Sequence, residues 1–192
     1  MKKNLQALGV LLSLTLLTGL IYPLVVTAIA KITMPSNADG NILYCHGKAV
    51  GSKLIAQKFT ANKYFWPRPS AADYNASNSA ASNLSPTSAD LKKQYDDRKK
   101  VIQETNEGEP PQDLLFASAS GLDPEISPLA AKYQVRRIAK ARNLDQKGSD
   151  SLLELIDNDT QWPTFGFIGE ARINVLVLNA ALDNCSAPES QR

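Results

Sequence analysis

From Leu5 to Ala30 the chain runs for 26 residues without a charged side chain, where about 20 suffice to cross the hydrocarbon core of a bilayer. The run holds nine Leu, two Ile and three Val, which together favour insertion by roughly 4–8 kcal/mol. Ser13, Thr15 and Thr18 can bond back to the helix, and Pro23 predicts a kink where its missing N–H leaves a carbonyl free. Gly9 with Ser13, and Thr15 with Gly19, have the small-xxx-small spacing of closely approaching helices. A cleaved secretory signal is the competing reading, since Lys2 and Lys3 precede the run and Ala28-Ile29-Ala30 has the form of a cleavage site. The run is longer than the apolar part of a signal, about 7–15 residues, which favours a retained anchor.

The flanks set an orientation. Lys2 and Lys3 precede the helix while Lys31 and the more distant Lys48 follow it, so the positive-inside rule puts the N-terminus in the cytoplasm and the rest of the chain outside. Without Lys2, Lys3 and Lys31, the remainder carries 18 basic against 19 acidic residues. That balance offers no basic face for phosphates and excludes a nucleic-acid binder. About 160 residues remain after the anchor, enough for one compact domain. The expected organisation is a cytoplasmic N-terminus (1–4), a transmembrane helix (5–30), a connector (31–41), a soluble domain (42–185) and a tail (186–192).

Cys45 and Cys185 are the only cysteines and His46 the only histidine, too few for a zinc site. Two cysteines so placed could form a disulfide if the domain lies outside the cytoplasm and are otherwise two buried thiols; the unpaired reading is preferred, since sequence does not show whether their Cβ atoms come close. The hydrophobic pattern predicts an α/β (α+β) domain. Its elements are a β-hairpin turning at His46-Gly47, a long surface loop through the Ser-, Ala- and Asn-rich stretch 64–88, and a helix from Ser85 or Thr87 with Leu91, Tyr95 and Ile102 on one stripe. A second helix starts at the Ser127 cap and Pro128, with Leu129, Tyr133 and Ile138 toward the core. A short helix at Ser151–Ile156, a strand at Thr164–Ile168 and a last helix from Asn174 to Leu182 complete it. Arg136, Arg137, Lys140 and Arg142 are expected on a solvated helix face.

The most distinctive stretches are YFWPRPSA (64–71) and SASGLDPEISPLAA (118–131). Neither is a catalytic template: Walker spacing and a Gly-x-Ser-x-Gly elbow are absent, and a nucleophile would have only His46 as its base. His46 itself reads as a turn residue. Tyr64, Phe65, Trp66 and Arg68 are candidates for a partner contact, because aromatics and Arg are favoured at interface hot spots; the other reading is that Phe65 and Trp66 are core. The backbone at Ser118, Ser120 and Gly121 could cradle a phosphate, but a turn closed by Asp123 as a local acceptor explains the same residues more simply.

Through TGLIYPLV, GSKLIAQKFTANKYFWPRPSAADYN, SASGLDPEISPLAAKYQVRRIAKARNL and INVLVLNAALD, in this order and over nearly the whole length, the sequence resembles the KdpC family, the C subunit of the bacterial Kdp potassium-transporting ATPase complex. It departs from the family's habit at SNSAASNLSP, where glycines are frequent, and at Glu125, where a histidine often stands. The resemblance implies a non-catalytic accessory subunit in the bacterial inner membrane. The implied partners are a channel-like potassium-binding subunit, a P-type ATPase subunit and a small hydrophobic subunit, besides the lipid bilayer. No firmly bound cofactor is implied, and ATP is reached through the ATPase subunit. The family is described as a catalytic chaperone that raises the ATPase subunit's ATP affinity; Ser118, Ser120, Gly121 and Gln134 are the nearest positions for such contact.

An external domain cannot touch cytosolic ATP, so the orientation and the chaperone role pull apart. Two mechanisms follow, an external scaffold on the channel-like subunit and an internal nucleotide-linked regulator. A tethered extracytoplasmic binding module unrelated to transport is the alternative from another class.

Overall fold

The computed structural model describes residues 2–185, in two compact units that divide after Ile42. The expected tail at 186–192 lies outside the described residues.

The first unit is built on a continuous helical run of 32 residues, Lys2–Thr33, long and apolar enough to cross a membrane. At about 1.5 Å per residue it exceeds the roughly 30 Å of a hydrocarbon core. It comprises α1 (Lys2–Leu16), a π-helical segment (Leu17–Ile21) and α2 (Tyr22–Thr33). The π segment adjoins Pro23, where a regular ladder would lack a donor. Tyr22 N–H bonds to the Leu17 carbonyl, widening the helix by one residue per turn at that point. Thr18 Oγ1 donates to the Leu14 carbonyl at 2.7 Å, as its place in an apolar helix demands. A single turn, α3 (Pro35–Ala38), follows.

The second unit is the α+β domain. Strands β1 (Ile42–Cys45) and β2 (Lys48–Ser52) form a hairpin. Its two-residue turn has φ 48° at His46 and 78° at Gly47, the left-handed pair that matches strand twist. Among the described residues, none between Ser52 and Ala89 enters a helix or strand. Then come α4 (Ala89–Gln103), a 3₁₀ turn (Gln112–Leu114), β3 (Glu125–Ile126), α5 (Pro128–Arg142), α6 (Gln146–Asp159), β4 (Ile173–Asn174) and α7 (Val175–Leu182). β3 and β4 pair antiparallel, Ile126 opposite Ile173.

Side-chain caps fix the helix starts: Ser88, Ser127, Asp145 and Asn174 each accept a backbone N–H of the first turn. Asn143 ends α5 in the left-handed conformation. α5 is the hub, burying Ala130, Ala131, Gln134, Val135, Arg137, Ile138 and Ala139. Phe65, Leu115, Ile126, Ile156, Ile173 and Leu178 pack around it. Leu129, expected inside, is 68% exposed, because at 3.6 residues per turn it lies on the side of α5 opposite Ile138.

A second, smaller cluster joins Leu43 to Leu176, Ala180 and Cys185. There Cys45 and Cys185 form a disulfide with Cα atoms 4.9 Å apart, across 140 residues of sequence. Closing so long a loop restricts the unfolded chain and stabilises the fold by about 2–5 kcal/mol.

Candidate functional site

The YFWPR stretch is held where no strand could hold it. Asn179 of α7 accepts Phe65 N–H at 2.8 Å and donates to the Phe65 carbonyl at 2.9 Å. One residue on, Gln134 of α5 accepts Trp66 N–H at 2.7 Å and donates to the Trp66 carbonyl at 3.2 Å. Two buried amides thus supply the pairing that a neighbouring strand would give. The Phe65 ring drops into the core and is fully buried, which removes it as a direct partner contact. Trp66 is half-buried, its ring beneath the Arg137 guanidinium at 4.0 Å.

Arg137 is the cost of this arrangement. It is 4% exposed, not on a solvated face, and it donates to the carbonyls of Asn62 and Tyr64 and to Gln134 Oε1. Burial pushes its guanidinium down to about 10, yet it stays charged at neutral pH. Arg142 is likewise drawn in, donating to the carbonyls of Lys63 and Leu182 and to Asp183 at 2.7 Å. Arg136 alone of the three arginines reaches outward, pairing with Glu107. The Tyr64 hydroxyl donates to Asp183 at 2.7 Å, and that hydrogen bond, with burial, raises the tyrosine above its ordinary range. At Asp183 burial acts to raise the carboxyl, but hydrogen bonds from Tyr64 and Arg142 and the charges of Arg142 and Lys63 hold it below its usual value.

Arg68 pairs with Asp123 at 2.9 Å, both about one third exposed. The SGLD turn is spent on internal bonds. Ser118 N–H goes to the Pro69 carbonyl, Gly121 N–H to the Ser118 carbonyl, Leu122 N–H to Ser120 Oγ, and Asp123 accepts Glu125 N–H. Gly121 has φ 70°, and a Cβ there would lie 2.7 Å from the Ala80 carbonyl oxygen, so this glycine serves close packing. Ser118 and Gln134 are buried, Gln134 with both amide atoms engaged, and of the four positions considered for ATP only Ser120 is exposed. The geometry makes these residues the stitching of the 64–80 loop to α5 and to the 118–123 turn.

The segment expected as a strand at Thr164–Ile168 is a tight hairpin tip instead. Gln161 and Arg172 pair across its base, and Thr164 and Ile168 across its neck. Trp162 is 68% exposed, Phe165 85%, Phe167 78% and Ile168 54%. The alternating apolar residues read as a strand, whereas Pro163, Gly166 and Gly169 carried the turn signal. This exposed aromatic tip is the feature that sequence reading missed.

These observations define a class: a small α+β domain on one N-terminal helix long enough to cross a membrane, whose polar interior is devoted to holding its own backbone. A family model described as "K+-transporting ATPase, c chain" (KdpC) matches residues 4–184. Among the relatives, the potassium-transporting ATPase KdpC subunit of Leptospira interrogans is 46% identical over 93% of this chain and 92% of its own. Those of Polynucleobacter asymbioticus (47%; 93% and 96%) and Burkholderia ambifaria (48%; 91% and 92%) are similar to it to the same degree. The chain belongs to the KdpC family.

Proposed function

We propose that this chain is a non-catalytic accessory subunit of an ATP-driven potassium importer, in which partner chains conduct the ion and hydrolyse ATP. Its helix anchors it in the bacterial inner membrane with the N-terminus in the cytoplasm. Its domain stands outside and braces the assembly of the channel-like, ATPase and small hydrophobic subunits. Family membership supports the assembly over a binding module unrelated to transport.

The observation that carries the external placement is the Cys45–Cys185 disulfide, because such bonds persist in oxidising compartments and are rare in the cytosol. It agrees with the lysines before the helix. Ser118, Gly121 and Gln134, turned to the domain's own backbone, support a role without direct ATP contact. An effect on the ATPase subunit's ATP affinity then travels through subunit contacts.

Reporter fusions at the C-terminal end test the placement. Alkaline phosphatase, which matures only after export, is expected to be active, and a fluorescent protein that matures only in the cytosol to be dark. The reverse pattern overturns the external scaffold and returns the domain to the side of the nucleotide.

A further inference from the structure

We propose that the hairpin from Gln161 to Arg172 is a docking element that inserts into an apolar cleft on another protein chain of the same assembly. The proposal rests on the reading of this chain as a subunit, and it names the surface by which the domain meets its partner.

Four large apolar side chains stand exposed on one short tip, Trp162, Phe165, Phe167 and Ile168. Four exposed large apolar side chains within seven residues of one turn mark an interaction site more readily than scattered surface hydrophobics do. The tip is also built to keep its shape. Gln161 and Arg172 exchange both backbone hydrogen bonds at 2.9 and 3.1 Å, Thr164 and Ile168 bond at 2.9 and 3.0 Å, and Gly166 N–H closes onto the Pro163 carbonyl at 2.9 Å. Below it, Arg172 pairs with Glu125 and Ile173 is fully buried, tying the stalk to the core sheet. A rigid aromatic tip loses little freedom on binding, which is how preorganised contacts gain affinity.

The backbone supplies an independent sign. Phe165 sits at φ 55°, a left-handed conformation rare for bulky side chains, at the most exposed residue of the patch. Asn or Gly would occupy that position without strain, and packing inside the domain does not require the ring. Local strain of this type gathers at ligand clamps and binding sites.

Charge selects a protein over a lipid surface. No Lys or Arg lies between Gln161 and Gly169, and the first charge after the tip is Glu170, which is exposed. Peripheral lipid-binding elements pair their aromatics with cations that meet anionic headgroups, and an acidic neighbour works against that. Trp with clustered aromatics is instead the composition of a protein hot spot, seated in a dry pocket on its partner.

Photo-crosslinking of the full chain in its native membranes tests this. A p-benzoyl-phenylalanine placed at Phe165 or Phe167 is compared with the same group at exposed Lys140 on α5, and adducts are identified by mass spectrometry. The expected result is an adduct with another chain of the ATPase at both tip positions, at least about tenfold above the Lys140 yield. Adducts with lipid alone, with unrelated proteins, or at the level of Lys140 overturn the docking element. Purification of the unlabelled chain separates the two readings. If it brings no other ATPase chain, the subunit role fails; if it brings them and the tip probes do not reach them, only the docking element fails.

Discussion

Two Trp-Pro segments in this chain, Trp66-Pro67 and Trp162-Pro163, have similar composition and opposite fates. Around the first, Phe65 is fully buried and Trp66 lies under a guanidinium; around the second, Phe165 and Phe167 stand free. Local sequence makes only part of the difference, through Gly166 and Gly169. The first segment meets side chains that return to it from 68 and 114 residues away, Gln134 and Asn179, while the backbone hydrogen bonds described for the second run within residues 161–172. An aromatic stretch becomes core when distant polar groups satisfy its backbone, and surface when its hydrogen bonds are all local.

The comparison breaks most directly at Phe65. Phe65→Ala should destabilise the domain by about 3–5 kcal/mol in urea unfolding, the range for removing a buried aromatic; a cost near zero would mean that the segment is not interior. Next, Gln134→Leu should cost about 1–3 kcal/mol, because it leaves Trp66 N–H and C=O buried without their partners. Its effect should appear in stability even with no nucleotide present, which separates a clamp from an ATP contact.

A smaller effect belongs to the rim. With the Asp183 carboxyl held below its ordinary value, its contribution is complete above the unfolded-state value and is lost as pH falls through the folded one. Asp183 is partly exposed, so the contribution stays under about 1 kcal/mol. Asp183→Asn should flatten the fall in urea midpoint between neutral pH and the acid end of the carboxylate range. Smallest of all, Trp162→Ala with Phe167→Ser should leave stability within about 0.5 kcal/mol, since neither ring packs in the core. A large loss there would erase the contrast between the two segments.

Features written in adjacent residues were legible in the sequence. The uncharged run gave a helix long and apolar enough to span a membrane, the His46-Gly47 pair gave the hairpin turn, and Ser127-Pro128 gave the start of α5. What sequence left open depended on distance along the chain. Arg137 looks like one of several solvated cations until the carbonyls of Asn62 and Tyr64, more than 70 residues earlier, come beneath it. The alternation Phe165, Phe167 has the period of a strand, and only the absence of a partner strand, joined to glycines at 166 and 169, turns it into a loop. Of the candidate partner residues, Tyr64 and Arg68 face intramolecular carboxylates, so the surface that sequence pointed to is largely satisfied from within.

The Cys45–Cys185 bond also changes how the domain bears mechanical load. Cys45 lies at the end of the domain's first strand and Cys185 just beyond α7, and these two points are covalently joined. Tension applied between Cys45 and Cys185 is therefore carried across one sulfur bridge, and the 140-residue loop it closes is short-circuited. A pull at these two points leaves the helices inside the loop unloaded. Reduction would route the same force through the hairpin and α7 and expose the interior to it.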